Sequence, residues 1–190
     1  LQGHHHLCYQ LLGQCKPANE TPFIAAEIGV ASGTNSMYML QQYPELRLYM
    51  VDPWSVNFEY MANLHPNTTR FPRLASKETM QAEFDEWYDA AMRITKFAEP
   101  RRIVLRMTSI EATSYVPDGL LSFVWIDGDH RYDTIAADLR NWWPKVRPGG
   151  IFAGHDYSRK TGVWLAVPAW ATETGQNVER YGRSSWVVRR

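Results

Sequence analysis

Cysteine, charge of one sign and long apolar runs are all scarce in this chain of 190 residues. Its two cysteines, Cys8 and Cys15, lie near the N-terminus, which excludes a disulfide framework and a four-thiolate zinc site and favours a cytoplasmic location. Lysine plus arginine and aspartate plus glutamate number 20 each. The net charge is therefore zero and favours a small-molecule partner, with no nucleic acid and no anionic membrane.

No apolar run approaches the roughly 18 residues that span a bilayer, and residues 1–6 lack the apolar core of a signal peptide. His4, His5 and His6 are either remnants of an expression tag or native residues, and no functional role is assigned to them. With 45% hydrophobic residues, the chain can bury one sizeable core. We expect a single domain over residues 1–190.

Short apolar runs that end at glycine, aspartate or proline predict the strands. They occupy residues 23–29, 46–52, 102–107, 121–127 and 151–154, with a turn at 147–150 before the last of them. Helical patterns at 36–42, 78–96 and 134–143 alternate with them. This alternation predicts an α/β fold with a parallel sheet and helices on both faces. Residues 177–181 and 185–188 predict a closing antiparallel hairpin.

Two parts of the chain carry no recognisable motif, namely the N-terminal segment 1–20 and the long insertion 54–100. A connection as long as this insertion commonly forms a lid or a substrate surface. His65, within the insertion, either contacts substrate or faces solvent. Specificity for the acceptor is expected to depend on these two parts.

A glycine turn follows the first strand and is the main candidate for binding a cofactor. Gly29 and Gly33 lie between the strand and a helix, Glu27 precedes them, and Asp52 ends the next strand. Such a turn lets the backbone approach a ligand, and a carboxylate at the second strand can accept ribose hydroxyls. The alternative is a tight turn with Asp52 as a helix cap. The absence of Gly-x-Gly-x-x-Gly makes a nicotinamide or flavin enzyme less favoured.

The sequence Glu27-Ile28-Gly29-Val30-Ala31-Ser32-Gly33-Thr34 resembles the first motif of class I S-adenosylmethionine-dependent methyltransferases, especially catechol and caffeoyl-coenzyme A O-methyltransferases. Residues 126–132 and 149–157 resemble the macrocin, aminocoumarin-sugar and cephalosporin-type O-methyltransferases. The resemblance implies a Rossmann-like, mainly parallel seven-stranded sheet and S-adenosylmethionine as cofactor. It places Glu27, Gly29, Gly33, Asp52 and Asp127 at the cofactor.

Two softer assignments to the cofactor remain open. Ser109 lies where the family contacts adenine, and a capping role is the alternative. Trp54 either packs on the adenine or closes the core.

Acids and a histidine follow the fourth and fifth strands and are expected to meet at one edge of the sheet. Asp127 closes one strand, and His155 and Asp156 close the next. Two carboxylates and an imidazole form a candidate divalent-metal site. In the families resembled, matching acids bind magnesium. His155 stands where those relatives usually carry an acid, so manganese, iron, zinc or no metal are alternatives, the last with His155 and Asp156 hydrogen-bonded to each other.

The loop after the fourth strand supplies two candidate general bases, Asp129 and His130. A histidine titrating near neutrality suits proton removal from a hydroxyl, and a neighbouring carboxylate can orient it. Asp129 is alternatively that orienting group or a helix cap. Together these residues predict a small-molecule O-methyltransferase. A metal-independent N- or C-methyltransferase and a non-catalytic cofactor-binding subunit are the alternatives, and the oligomeric state, including a homo-oligomer, stays open.

Overall fold

Seven strands form one mixed sheet in the computed structural model, which describes residues 4–16, 22–55 and 77–190. The strands are β1 Ile24–Ile28, β2 Arg47–Val51, β3 Arg102–Leu105, β4 Leu121–Ile126, β5 Val146–Gly154, β6 Glu179–Tyr181 and β7 Ser185–Arg189. Their spatial order is β3-β2-β1-β4-β5-β7-β6. Strands β1 to β5 are parallel, and β7 pairs antiparallel with both β5 and β6. The predicted fold class is confirmed, including the terminal hairpin.

Six α-helices are described, and three of them have no counterpart in the sequence-based expectations. They are α1 His4–Gln14, α2 Thr34–Gln42, α3 Lys77–Ile94, α4 Ser109–Ala112, α5 Tyr132–Trp142 and α6 Val163–Thr174. The unexpected helices are α1, the single-turn α4 and α6, although buried residues of α6 recur at helical spacing at 163, 166, 167, 170 and 171. Pro168 inside α6 disguised that period. No helix of the described part is long and apolar enough to cross a membrane.

Two apolar layers cover the two faces of the sheet. Side chains alternate along β4, so that Val124 and Ile126 pack in one layer with α5 and α6, while Phe123 and Trp125 pack in the other with α1 and α2. Every residue of β4 is buried, as expected for a central parallel strand covered on both faces. The cysteines of the α1 region, Cys8 and Cys15, are buried free thiols of this second layer.

Strand β5 begins earlier than expected, because it includes the residues predicted as a turn at 147–150. Its register against β4 shifts between Leu121 and Phe123, and Gly149 has a φ of 76°. An irregularity within the strand therefore takes the place of the turn.

The order of the strands reverses at β1, because the chain continues from β1 to β2 and β3 on one side of it and from β4 to β5 on the other. In parallel sheets, ligands bind outside the carboxyl ends of the strands at such a reversal of strand order. The segments after β1, β2, β4 and β5 meet there. Much of the expected lid, residues 56–76 with His65, lies outside the described residues, as do residues 1–3 and 17–21.

Candidate functional site

The turn after β1 passes directly against the segment that follows β4. Gly29 has a φ of 90°, and a Cβ there would lie 2.4 Å from the carbonyl oxygen of Asp127. Its N–H donates to the Val51 carbonyl at 2.9 Å. Gly29 is therefore needed for two reasons, its left-handed backbone and the close approach of the neighbouring segment.

Gly33 has a different requirement, which is packing between helices. It caps the start of α2 with a φ of 82°, and a Cβ there would lie 2.8 Å from the Cα of Ala91 in α3. Its assignment to the cofactor stays a prediction, while its contact with α3 explains the glycine without a ligand.

Glu27 lies behind the turn and is 1% exposed. Its oxygens accept hydrogen bonds from Asn35 Nδ2, at 2.9 Å, and from the Ser36 hydroxyl. Burial raises its pKa from 4.5 to about 8, because an ionised carboxyl is costly in an apolar surrounding. Through these hydrogen bonds, Glu27 connects β1 to the start of α2.

Asp52 closes the glycine turn from the side of β2. Its Oδ2 accepts from the N–H groups of Val30 and Ala31 at 3.0 and 2.9 Å, and its Oδ1 accepts from the N–H of Trp54 at 2.8 Å. Burial raises the pKa of Asp52, and these three hydrogen bonds oppose that rise. The N–H groups of Val30 and Ala31 in the glycine turn are thus bonded to Asp52. The hydroxyls of a bound ribose would compete with these N–H groups for the same carboxylate.

Trp54 is fully buried and belongs to the core layer of α1 and α2. Its Nε1 donates to the Ala31 carbonyl at 2.8 Å, and its ring stands edge-on to Tyr88 at 5.1 Å between centroids. The geometry favours the core-closing alternative for Trp54. Trp142 is buried in the other layer.

Ser109 faces α5. Its hydroxyl donates to Asp138 Oδ1 and accepts from Trp142 Nε1 at 2.7 Å, while the neighbouring Thr108 caps α4 through a capping box with Glu111. Asp138 was not anticipated; burial raises its pKa to about 6. A signal existed, since Asp138 is an acid on the apolar face of a predicted amphipathic helix.

Four side chains meet beyond β4 and β5, and we call Asp127, His130, His155 and Asp156 the acid–histidine cluster. Backbone pairing places it, since Asp127 N–H donates to the Ile28 carbonyl at 2.8 Å and His155 N–H to the Ile126 carbonyl at 3.0 Å. The convergence of Asp127, His155 and Asp156 at one edge of the sheet follows the expected topology. Asp156 adopts a φ of 52°, unusual for a residue with a side chain.

His130 turns into this cluster. Its Nε2 lies 2.9 Å from Asp156 Oδ2 and 3.9 Å from Asp127 Oδ1, yet it finds no well-aligned hydrogen-bond acceptor among the described residues. The two carboxylates raise the pKa of His130 to about 9 against the opposing effect of burial. The imidazoles in turn hold the pKa of Asp156 well below its usual range.

His155 is held at both ring nitrogens. Nε2 lies 2.8 Å from the Ser184 hydroxyl, and Nδ1 lies 3.2 Å from Asp156 Oδ2 and 3.8 Å from Asp127 Oδ1. The two carboxylates also raise the pKa of His155. Ser184, 29 residues away along the chain, was not anticipated, and nothing in the sequence pattern connects it to His155.

Among the described residues, one group has ligand atoms close enough for one cation, and it differs from the predicted set in its histidine. Asp127, His130 and Asp156 can each offer one ligand atom, all within 4.8 Å of one another. The prediction named His155 in place of His130. The structure brings both imidazoles to the carboxylates, with His155 already bonded to Ser184.

Asp129 turns away from the cluster and holds the start of α5. Its Oδ1 accepts from the Arg131 N–H at 3.0 Å, and its Oδ2 contacts the Arg131 guanidinium and the Thr134 hydroxyl. These contacts lower the pKa of Asp129, although partial burial opposes them. The geometry favours an orienting or capping role over that of a base.

Residues 26–157 match the family described as "Methyltransferase domain". The chain belongs to this family. It is a class I S-adenosylmethionine-dependent methyltransferase, and the matched range includes the glycine turn, Asp52 and the whole acid–histidine cluster.

Solved structures share the fold of the methyltransferase at low sequence identity. The O-methyltransferase NovP has a TM-score of 0.70 at 16% identity, covering 98% of this chain and 78% of that one. CalS11, a TDP-rhamnose 3'-O-methyltransferase, has a TM-score of 0.61 at 17% identity, covering 97% and 78%. A methyltransferase from Geobacter sulfurreducens has a TM-score of 0.62 at 12% identity, covering 98% and 77%.

A stretch of 64 residues of the methyltransferase is 34% identical to the uncharacterized protein y4gI of Sinorhizobium fredii. The match covers 32% of this chain and 7% of that protein. The matched stretch thus corresponds to a small part of that much longer protein.

Proposed function

We propose that the methyltransferase transfers the methyl group of S-adenosylmethionine to a hydroxyl oxygen of a small molecule, with help from a divalent cation. The observation that carries the proposal is the meeting of Asp127, His130 and Asp156 within 4.8 Å, beside the glycine turn that Asp127 touches at Gly29. NovP and CalS11, which share the fold, are both described as O-methyltransferases.

The donor set suits a divalent cation. Carboxylate oxygens satisfy magnesium, while an imidazole suits manganese or iron better, so a cation of that borderline kind fits best. When bound, the cation supplies positive charge that lowers the pKa of a coordinated hydroxyl. Without an ion, the raised pKa of His130, to about 9, leaves its imidazole protonated between the two carboxylates.

The residues of the chain have separate roles in this proposal. Asp52 would hold the ribose hydroxyls, and the backbone at Gly29 would approach the methionine part of the cofactor. Ser109 would lie beside the adenine of the cofactor. His130 is either a ligand of the cation or the group that takes the hydroxyl proton, because its Nε2 cannot do both at once.

Binding measurements test cofactor and cation separately. S-adenosylhomocysteine should bind with or without Mn²⁺, and Mn²⁺ should bind more weakly to D127N and D156N than to the exposed control D133N. If His130 is a ligand, Mn²⁺ binding at pH 7 should release protons, because the protonated imidazole must lose its proton. In that case the affinity for Mn²⁺ should rise up to about pH 9, the pKa of His130. If S-adenosylhomocysteine did not bind, the proposal would be wrong.

The two roles of His130 predict different defects in H130Q. A ligand role lowers Mn²⁺ affinity, whereas a role as base lowers kcat and leaves Mn²⁺ affinity unchanged. Calorimetric titration of Mn²⁺, followed by turnover at saturating Mn²⁺ with a panel of hydroxylated acceptors, distinguishes them.

One observation favours a metal-independent transfer to nitrogen or carbon. The cluster can balance its own charge, since both histidines have raised pKa values beside two carboxylates. Full turnover of an amine or carbon acceptor in the presence of a chelator would establish this second candidate.

We place the reaction in the cytoplasm, because the chain has only two thiols and both are buried and free.

A further inference from the structure

The turn after β5 is fixed against the loop that carries His130. The Thr161 hydroxyl donates to the Asp156 carbonyl at 2.6 Å, and the Gly162 N–H donates to the His130 carbonyl at 2.8 Å. A Cβ at Gly162 would lie 2.2 Å from the backbone nitrogen of Tyr132, so the two segments are in direct contact. The residues between Asp156 and Gly162 therefore border the acid–histidine cluster.

This turn and the first residues of α6 carry aromatic rings and cations, and we call Tyr157, Arg159, Lys160 and Trp164 the basic aromatic patch. The rings of Tyr157 and Trp164 lie 4.9 Å apart at 35°, and the Arg159 guanidinium lies 5.7 Å from the Trp164 centroid. Both rings are partly exposed, and Arg159 and Lys160 are exposed. The patch thus offers ring surface and positive charge together.

The charge of the patch is not balanced locally. Residues 157–172 and 180–190 contain no aspartate or glutamate, although the whole chain is neutral. In the described part of the chain, Arg159 and Lys160 form no ion pair with a carboxylate. The positive charge of Arg180 also acts on the patch. Burial raises the pKa of Tyr157, and the charge of Arg180 partly offsets this rise.

The position of the patch suits one end of a small molecule whose other end reaches the cluster. Arg159 is three positions after Asp156, so their Cα atoms are at most roughly 11 Å apart. The patch attracts an anionic group, while the cation proposed at the cluster would take the hydroxyl. The two sites together would orient a molecule that carries both a hydroxyl and an anion.

We infer that the basic aromatic patch binds an anionic group of the acceptor, a phosphate or a carboxylate, and packs its rings against the adjoining part of the molecule. The acceptor class is then a hydroxylated metabolite with one such anion, its hydroxyl lying at the acid–histidine cluster. This inference rests on the proposed function and adds the chemical class of its substrate.

The test compares matched acceptors that differ by one anionic group, catechol with 3,4-dihydroxybenzoate and uridine with uridine monophosphate. Methyl transfer from labelled S-adenosylmethionine is measured beside calorimetric binding to the protein loaded with S-adenosylhomocysteine. At least one anionic member should have a kcat/KM or an affinity at least ten-fold above its neutral partner. Equal values within both pairs would overturn the inference.

Variants then locate the effect. R159Q/K160Q should lower the affinity for the anionic member about ten-fold and change that for the neutral member less than two-fold. R159K/K160R, which keeps both charges, and R93Q/K96Q, which removes two exposed charges near the end of α3, should behave as the unmodified protein. An unaltered affinity of R159Q/K160Q would contradict the assignment.

Two further outcomes separate this inference from the proposed function. If 3,4-dihydroxybenzoate binds through the patch but no acceptor is methylated on oxygen, the proposed reaction fails and the anion site stands. If R159Q/K160Q instead changes the molar mass in light scattering while every acceptor behaves as before, the patch is a protein contact and the inference is wrong.

Discussion

Replacing Glu27 by glutamine should make the stability of the methyltransferase less dependent on pH. Burial raises the pKa of Glu27 from 4.5 to about 8, so between these values the folded state holds a proton that the unfolded chain has released. Its contribution to stability is complete below pH 4.5, falls as the pH rises, and is lost above about 8. Glutamine mimics the neutral carboxyl and removes this dependence.

The magnitude follows from the pKa difference. Each pH unit in which the folded state holds one extra proton changes the free energy of unfolding by about 1.4 kcal/mol. Between pH 5.5 and pH 8.5 the unmodified protein should therefore lose about 3 kcal/mol relative to E27Q. The hydrogen bonds are kept, because Asn35 still donates to the amide oxygen and the Ser36 hydroxyl can rotate to accept from the amide nitrogen.

Urea unfolding at pH 5.5 and 8.5, followed by circular dichroism, measures this difference. The exposed Glu99 provides a matched control, and E99Q should show the pH dependence of the unmodified protein. If E27Q lost stability between the two pH values as steeply as the unmodified protein does, the reasoning from burial would be refuted.

Three further changes test the turn, the cofactor site and the cluster. Gly29→Ala should destabilise the fold by about 3 kcal/mol or more, since its Cβ would meet the Asp127 carbonyl; a loss under about 1 kcal/mol in urea unfolding would contradict this. Asp52→Asn should weaken S-adenosylhomocysteine binding about ten-fold in calorimetry, because the amide nitrogen cannot accept hydrogen bonds; unchanged affinity would remove Asp52 from the site. Ser184→Ala should weaken Mn²⁺ binding about five-fold, because it frees the His155 ring, whose Nδ1 lies 3.2 Å from Oδ2 of the proposed ligand Asp156; Ser184→Thr should restore the affinity, and equal affinities of all three proteins would show that Ser184 does not position the ring.

The strands were predictable because each combines an apolar run with a residue that ends it. Gly29 follows β1, Asp52 follows β2 and Asp127 follows β4. Each of these three residues therefore indicates both the end of a strand and the position of the site. Parallel strands then bring those ends to one edge. Helix α6 escaped prediction because Pro168 obscured its apolar period.

The roles of individual side chains were less predictable. Glu27 was assigned to the cofactor, but its oxygens point to Asn35 and Ser36. The predicted metal set named His155, whereas His130 completes the compact group with Asp127 and Asp156. Such differences depend on side-chain direction, which the order of residues along a strand does not specify.

By itself, the sequence determined which residues arrive at the carboxyl edge of the sheet, because strand ends follow from local apolar patterns and from the crossover rule for parallel strands. Only the tertiary structure decided which atoms meet there. Ser184 reaches His155 across 29 residues, and the turn after β5 packs on the His130 loop through Gly162. These contacts arise from the docking of β7 and α6 onto the sheet, and that docking depends on packing between segments far apart in the chain.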